Sequence, residues 1–130
     1  FSPTLTTLPL QDSLDMDDED RARIRETCLV SASKHVVIVH GTDTMRETAK
    51  LLGASRAAPI LSKTIVLTGA MVPYAFGSSD GLFNLGSALS FAQVLPPGVY
   101  VAMNGRIFDP GHARKNVAAN RFEVVDCGGN

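Results

Sequence analysis

The run Val36-Val37-Ile38-Val39 breaks directly into His40-Gly41-Thr42-Asp43-Thr44-Met45. Four β-branched residues in a row are stiff at χ1 and read as a buried strand of a parallel sheet. Over residues 44–54 apolar Met45, Ala49 and Leu52 return at helical spacing, and the pattern closes near Gly53. A strand that turns straight into a helix points to an α/β layer fold, where ligands bind in the crevice at the carboxyl ends of the strands. Thr42 and Asp43 stand at such an end. Either side chain also suits the N-cap of the helix that follows, so position alone leaves both readings open.

The same grammar recurs along the chain. An acidic stretch, residues 17–20, precedes Ile24, Cys28 and Leu29 at helical intervals, with acids placed to complement the helix dipole. Residues 63–67 repeat the strand pattern and run into Thr68-Gly69-Ala70-Met71; a long loop, 72–79, follows. Ser79 or Asp80 then caps a helix carrying Leu82, Phe83, Leu85, Leu89 and Val94, which Pro96-Pro97 ends. Residues 98–103 form the last clear strand, with Val99, Val101 and Met103 alternating against Tyr100 and Ala102. Residues 4–10, bracketed by Pro3 and Pro9, suit an edge strand. Strands alternating with helices at this spacing give right-handed βαβ units and a mostly parallel sheet. The expected organisation is one α/β domain over residues 1–125 and a flexible tail over 126–130.

Composition narrows the function. A chain of 130 residues with 45% hydrophobic and 19% charged residues can build a core, and a net charge of -1 offers no basic stripe for a phosphate backbone. No nucleic-acid partner is expected. No apolar run approaches the roughly 20 residues of a membrane span, so no membrane partner is expected either. Two cysteines, Cys28 and Cys127, make no disulfide framework, which favours a reducing, cytoplasmic location. The histidines and cysteines lack metal-ligand spacing, and no Gly-x-Gly-x-x-Gly or Gly-Lys-Ser loop occurs; neither a metal nor a nucleotide cofactor is expected.

Polar residues at the ends of successive strands, namely Ser13, then Thr42 and Asp43, then 68–70, could share one crevice. A lysine reaching it could activate a threonine hydroxyl. Lys115 lies in a cationic segment with His112, Arg114 and Arg121, and the same cations also suit a solvated face. His40, last in a buried strand, reads as a structural histidine with a ring nitrogen on backbone.

The residues Val37-Ile38-Val39-His40-Gly41-Thr42-Asp43-Thr44-Met45, followed by Glu47-Thr48-Ala49, closely resemble the second signature of the bacterial-type L-asparaginases. The likeness continues through Thr68-Gly69-Ala70-Met71, Pro73, Ser79-Asp80-Gly81, Asn84-Leu85 and Met103-Asn104-Gly105, to a lysine six residues after Asp109. It runs from about Asp12 to Phe122 and looks most like short asparaginase-like proteins that end after the amino-terminal domain. The resemblance implies a three-layer α/β sandwich with a mostly parallel, flavodoxin-like sheet. It implies that Thr42, Asp43 and Lys115 form one catalytic triad, that Asp43 also holds the substrate α-ammonium and Ser13 its α-carboxylate, and that Gly41 and Ala70 line the pocket. It assigns no chemical task to His40 or Asn84.

This sequence departs from the family pattern in three respects. The threonine usually credited as primary nucleophile belongs to a Thr-Gly-Gly-Thr-Ile segment upstream of anything present, as does the tyrosine of its mobile loop. Leu14 stands where larger members carry a substrate-contacting glutamine. The carboxyl-terminal domain that completes the neighbouring subunit's site is absent from these residues. The implied function is hydrolysis of L-asparagine, with L-glutamine as the other candidate substrate, through a threonine acyl-enzyme without a cofactor, in a homo-oligomer. The alternatives are a non-catalytic amino-acid-binding domain and an amidase subunit of an amidotransferase.

Overall fold

The computed structural model describes residues 13–72 and 79–124. The expected strand over 4–10, most of the long loop with Pro73, Tyr74, Phe76 and Gly77, and the tail with Cys127 lie outside the described residues.

Helix α1, Asp18–Val30, starts where the acids predict, and two of them do more than complement the dipole. Asp17 Oδ1 accepts the Asp20 N–H at 2.9 Å while Asp20 Oδ2 accepts the Asp17 N–H at 3.0 Å, a reciprocal capping box. At the other end the buried Lys63 ammonium donates to the carbonyls of Ser31 and Ser33, each at 2.6 Å, placing a cation at the negative end of the helix.

Strand β1, His35–Val39, is followed by α2, Met45–Gly53, a short α3, Ala58–Leu61, and β2, Thr64–Thr68. Helix α4, Gly81–Val94, leads to β3, Gly98–Met103. β1, β2 and β3 are parallel neighbours in register, Val37 beside Val66 and Val66 beside Tyr100. Alternation sorts the side chains into two cores. Ile65, Leu67, Val101 and Met103 meet α1 and α2 through Ile24, Cys28, Met45, Ala49 and Leu52, whereas Val66 and Ala102 meet Ala88 and Ala92 of α4 on the opposite face. Helices cover both faces of the sheet, giving three layers.

β3 is not the last strand. Asn104 and Gly105 both have positive φ, 57° and 74°, and turn the chain back into β4, Arg106–Phe108, antiparallel to β3. After a 3₁₀ turn, Pro110–His112, a separate hairpin follows: β5, Ala113–Asn116, with β6, Arg121–Val124. An Asn-Gly pair between strand-like residues signals a hairpin in its own right.

Two local expectations change. β2 is buried at every residue, but β1 is only half-buried and Val39 is 70% exposed, because among the described residues β1 is the edge of the sheet. In α4 the large apolar residues Leu82, Phe83 and Val94 point outward, and the buried face is made of Asn84, Ala88 and Ala92. Small residues let the helix lie close on the sheet.

Gly69 shows how close the strand ends come. A Cβ there would stand 2.1 Å from the His40 carbonyl oxygen, whereas a Cβ on Gly86, exposed in α4, would meet nothing within 4 Å. Gly69→Ala is therefore expected to cost at least about 3 kcal/mol. Gly86→Ala should instead stabilise by about 0.5–1 kcal/mol. Denaturant midpoints of the two variants check both; a tolerated alanine at 69 would refute the close approach.

Candidate functional site

At the carboxyl end of the sheet β1 is drawn against β2 by the His40 N–H, which donates to the Thr68 carbonyl at 2.8 Å. The buried His40 ring then braces the turn that follows. Its Nδ1 lies 2.7 Å from the Gly41 carbonyl and its Nε2 2.8 Å from Thr48 Oγ1. A carbonyl can only accept, so Nδ1 carries the proton and Nε2 accepts from the Thr48 hydroxyl. Burial lowers the His40 pKa; the Gly41 carbonyl opposes this, Arg21 adds to it, Glu47 opposes it, and the balance stays below the ordinary value. The histidine is a neutral strut, as its place at the strand end suggests.

The strut leaves Thr42 and Asp43 on the way into α2, whose N-cap position falls on Thr44. Both side chains turn to Lys115. Its Nζ donates to Thr42 Oγ1 at 2.8 Å and to Asp43 Oδ1 at 2.6 Å, across 73 and 72 residues of sequence. Thr42 is buried, while the Lys115 and Asp43 side chains keep 20% and 36% exposure. The three expected residues are thus brought together, with a hydroxyl under a cation and a carboxylate open to a ligand.

Lys115 reaches this point because of the β5–β6 hairpin. Strand alternation turns Ala113, Lys115 and Phe122 inward and Arg114, Asn116 and Glu123 outward, so one cation of the basic segment enters the site and its neighbours do not. Phe122 sits beside Phe108 with ring centroids 6.2 Å apart, anchoring the hairpin to the core.

Asn84, whose part could not be read from sequence, is completely buried beneath the crevice. Its Nδ2 donates to the Gly69 carbonyl at 2.8 Å and to Asp80 Oδ2 at 2.9 Å, and its Oδ1 accepts the Asn104 N–H at 3.1 Å. One amide ties the ends of β2 and β3 to α4. Asp80 does not cap its own helix with its side chain; Ser79 Oγ accepts the Gly81 N–H at 3.0 Å instead. The Asp80 carboxylate turns back to the N–H groups of Met71 and Val72. Burial pushes the Asp80 carboxyl up, but the Val72, Met71 and Asp80 N–H groups with Asn84 outweigh it, and its pKa lies below the ordinary carboxylate value.

The remaining expected residues are more scattered. Gly41 contributes its carbonyl to His40. Ala70 lines an apolar cleft of about 250 Å³ on the α4 side with Val39, Gly69, Leu82 and Leu85. Ser13 opens the 3₁₀ turn Ser13–Asp15, and its side chain lies outside what is described.

The sequence profile described as "Asparaginase, N-terminal" matches residues 4–127. The chain belongs to the asparaginase family. An Escherichia coli (strain K12) protein named L-asparaginase 1 is 39% identical over 119 residues, 89% of this chain and 34% of its own length. A human protein named 60 kDa lysophospholipase is 37% identical over 117 residues, 88% of this chain and 20% of its own. A crystal structure of L-asparaginase I from Vibrio cholerae superposes with a TM-score of 0.76 at 33% identity, covering 89% of this chain and 36% of that one. The chain therefore spans about a third or less of the length of these relatives.

The His40 strut gives this asparaginase-family domain a pH signature. A folded-state pKa below the ordinary 6.5 means that protonation favours the unfolded chain. Stability from His40 is present above that value and is lost as pH falls through the folded pKa. Melting temperatures across this window should decline more steeply in the parent than in His40→Gln, and parallel declines would refute the buried neutral ring.

Proposed function

We propose that this domain contributes the Thr42–Asp43–Lys115 part of an amidohydrolase site that converts L-asparagine to L-aspartate and ammonia through a threonine acyl-enzyme. The observation that carries this reading is the Lys115 ammonium shared between Thr42 Oγ1 and Asp43 Oδ1 at 2.8 and 2.6 Å. Membership of the asparaginase family supports it.

The chemistry follows from the charges. Asp43, partly exposed, accepts the substrate α-ammonium in a charge-assisted hydrogen bond. That ammonium competes with Lys115 for the carboxylate, leaving the lysine nitrogen on the Thr42 hydroxyl. Acting as a base in its neutral form, the lysine amine takes the proton of a threonine hydroxyl as its oxygen attacks the side-chain amide carbon. The lysine returns the proton to the departing nitrogen, ammonia leaves, and water cleaves the ester to give aspartate and regenerate the hydroxyl. Ser13 holds the α-carboxylate in this reading, and the backbone at Gly41 and Ala70 borders the substrate. L-Glutamine differs by one methylene, worth roughly 1–3 kcal/mol, and is the expected second substrate.

We infer a homo-oligomer, supported by the outward apolar residues Val39, Leu82, Phe83 and Val94. A reducing cytoplasm suits the free, buried Cys28. Among the described residues no helix is long and apolar enough to cross a membrane. Sedimentation of the purified protein tests the assembly, and a monomer at micromolar concentration would reject it.

Lys115→Met should lower kcat for ammonia release from L-asparagine by about 10²–10⁴-fold with a smaller change in KM. Asp43→Asn should weaken L-aspartate binding by about 10- to 100-fold. Thr42→Val should abolish most turnover. A protein that binds L-aspartate yet releases no ammonia would point to amino-acid binding without catalysis.

A further inference from the structure

The β5–β6 hairpin is a two-stranded sheet with one face in solvent, and such a ribbon is only marginally stable alone. Its register nevertheless decides the site, since a slip of one residue would turn Lys115 outward. Phe122, directly opposite Lys115, is held by the Phe108 ring and by the Asn104 side chain, which accepts the Phe122 N–H at 3.3 Å. On the outer face, the two residues that bracket Lys115 are both bonded to one carboxylate. Arg114 Nη2 donates to Glu123 Oε1 at 2.7 Å and Asn116 Nδ2 donates to Glu123 Oε2 at 2.9 Å. Arg121 adds Nη2 and Nε contacts to Oε2 at 3.3 and 3.4 Å. Asn116 also accepts the Ala119 N–H at 2.9 Å, tying the same carboxylate to the turn between the strands.

We propose that Glu123 is a positioning residue for Lys115: by gripping Arg114 and Asn116 across the ribbon, its carboxylate locks the register that aims the Lys115 ammonium at Thr42 and Asp43. The Arg114 guanidinium, joined by Asn116, holds the Glu123 carboxyl down to about 2, so the clamp stays charged at neutral pH. Exposed ion pairs contribute little to global stability one by one, so loss of the clamp acts on the placement of Lys115 more than on the melting temperature. For turnover this inference rests on the amidohydrolase reading; for the geometry of Lys115 it does not.

The test is brief acetylation of the full chain with acetic anhydride, followed by peptide mass spectrometry of Lys34, Lys50, Lys63 and Lys115. In Glu123→Ala, Lys115 should label about fivefold faster, with Lys34 and Lys50 unchanged. Glu123→Gln, which keeps the Asn116 bond but loses the charge, serves should the alanine variant not fold. Unchanged Lys115 labelling, or an equal rise at every lysine with a fall in melting temperature, would overturn the proposal. Where the protein releases ammonia, kcat should fall about as much as labelling rises, with KM little changed. Where it releases none, the amidohydrolase reading fails and the lysine labelling still decides the role of Glu123.

Discussion

At the carboxyl end of the sheet three strands stop side by side, and each leaves backbone N–H and C=O groups where the next strand can no longer pair them. Buried polar groups without partners are costly, so the way they are satisfied governs everything built above. Here two buried side chains satisfy several of them. His40 takes the Gly41 carbonyl, and Asn84 takes the Gly69 carbonyl and the Asn104 N–H. Both act on the backbone of the turns, so the loops leave the sheet in fixed directions. Thr42 and Asp43 owe their aim to this arrangement.

The parts of the fold written in contiguous residues were legible. The β-branched run of β1, the acidic start of α1 and the alternation in β3 each follow from local stereochemistry, and each element lies within about two residues of its expected bounds. What escaped depended on partners elsewhere. The half-buried state of β1 cannot be read from Val36 to Val39, because exposure depends on which strand lies beside it. The outward turn of Leu82 and Phe83 is likewise set by the sheet, which admits only the small face of α4. The β3–β4 hairpin is of a different kind, since Asn104-Gly105, with positive φ at both residues, carries its own local signal of a tight turn.

The site divides in the same way. Thr42 and Asp43 could be picked out as neighbours at a strand end, with a helix cap as the competing reading. The competition is settled by a residue 72 positions away, since the Asp43 carboxylate points to Lys115. Nothing in the spacing of His112, Arg114, Lys115 and Arg121 distinguishes the lysine until the segment is known to be a ribbon. Period-2 alternation then separates Lys115 from Arg114 at once. Family likeness identified the same lysine without that geometry, and the ribbon supplies the physical reason.

That ribbon explains a feature that would otherwise look wasteful, a run of cations and a glutamate on a solvent-facing surface. A parallel βαβ unit brings loops to the crevice only from the ends of its own strands. A lysine that must approach from the side has to be carried on a chain running back across the top of the sheet, which the reversal at Asn104-Gly105 begins and the β5–β6 hairpin completes. The cost of this route is a support with core contacts on one face only, at Ala113 and Phe122. The outer face then needs its own means of fixing register. Because Arg114 and Asn116 share one carboxylate, neither can shift along β6 without giving up a bond at 2.7 or 2.9 Å, and Lys115 between them cannot shift either. The polar outer face is in this sense as much a part of the site as the threonine and aspartate it never touches.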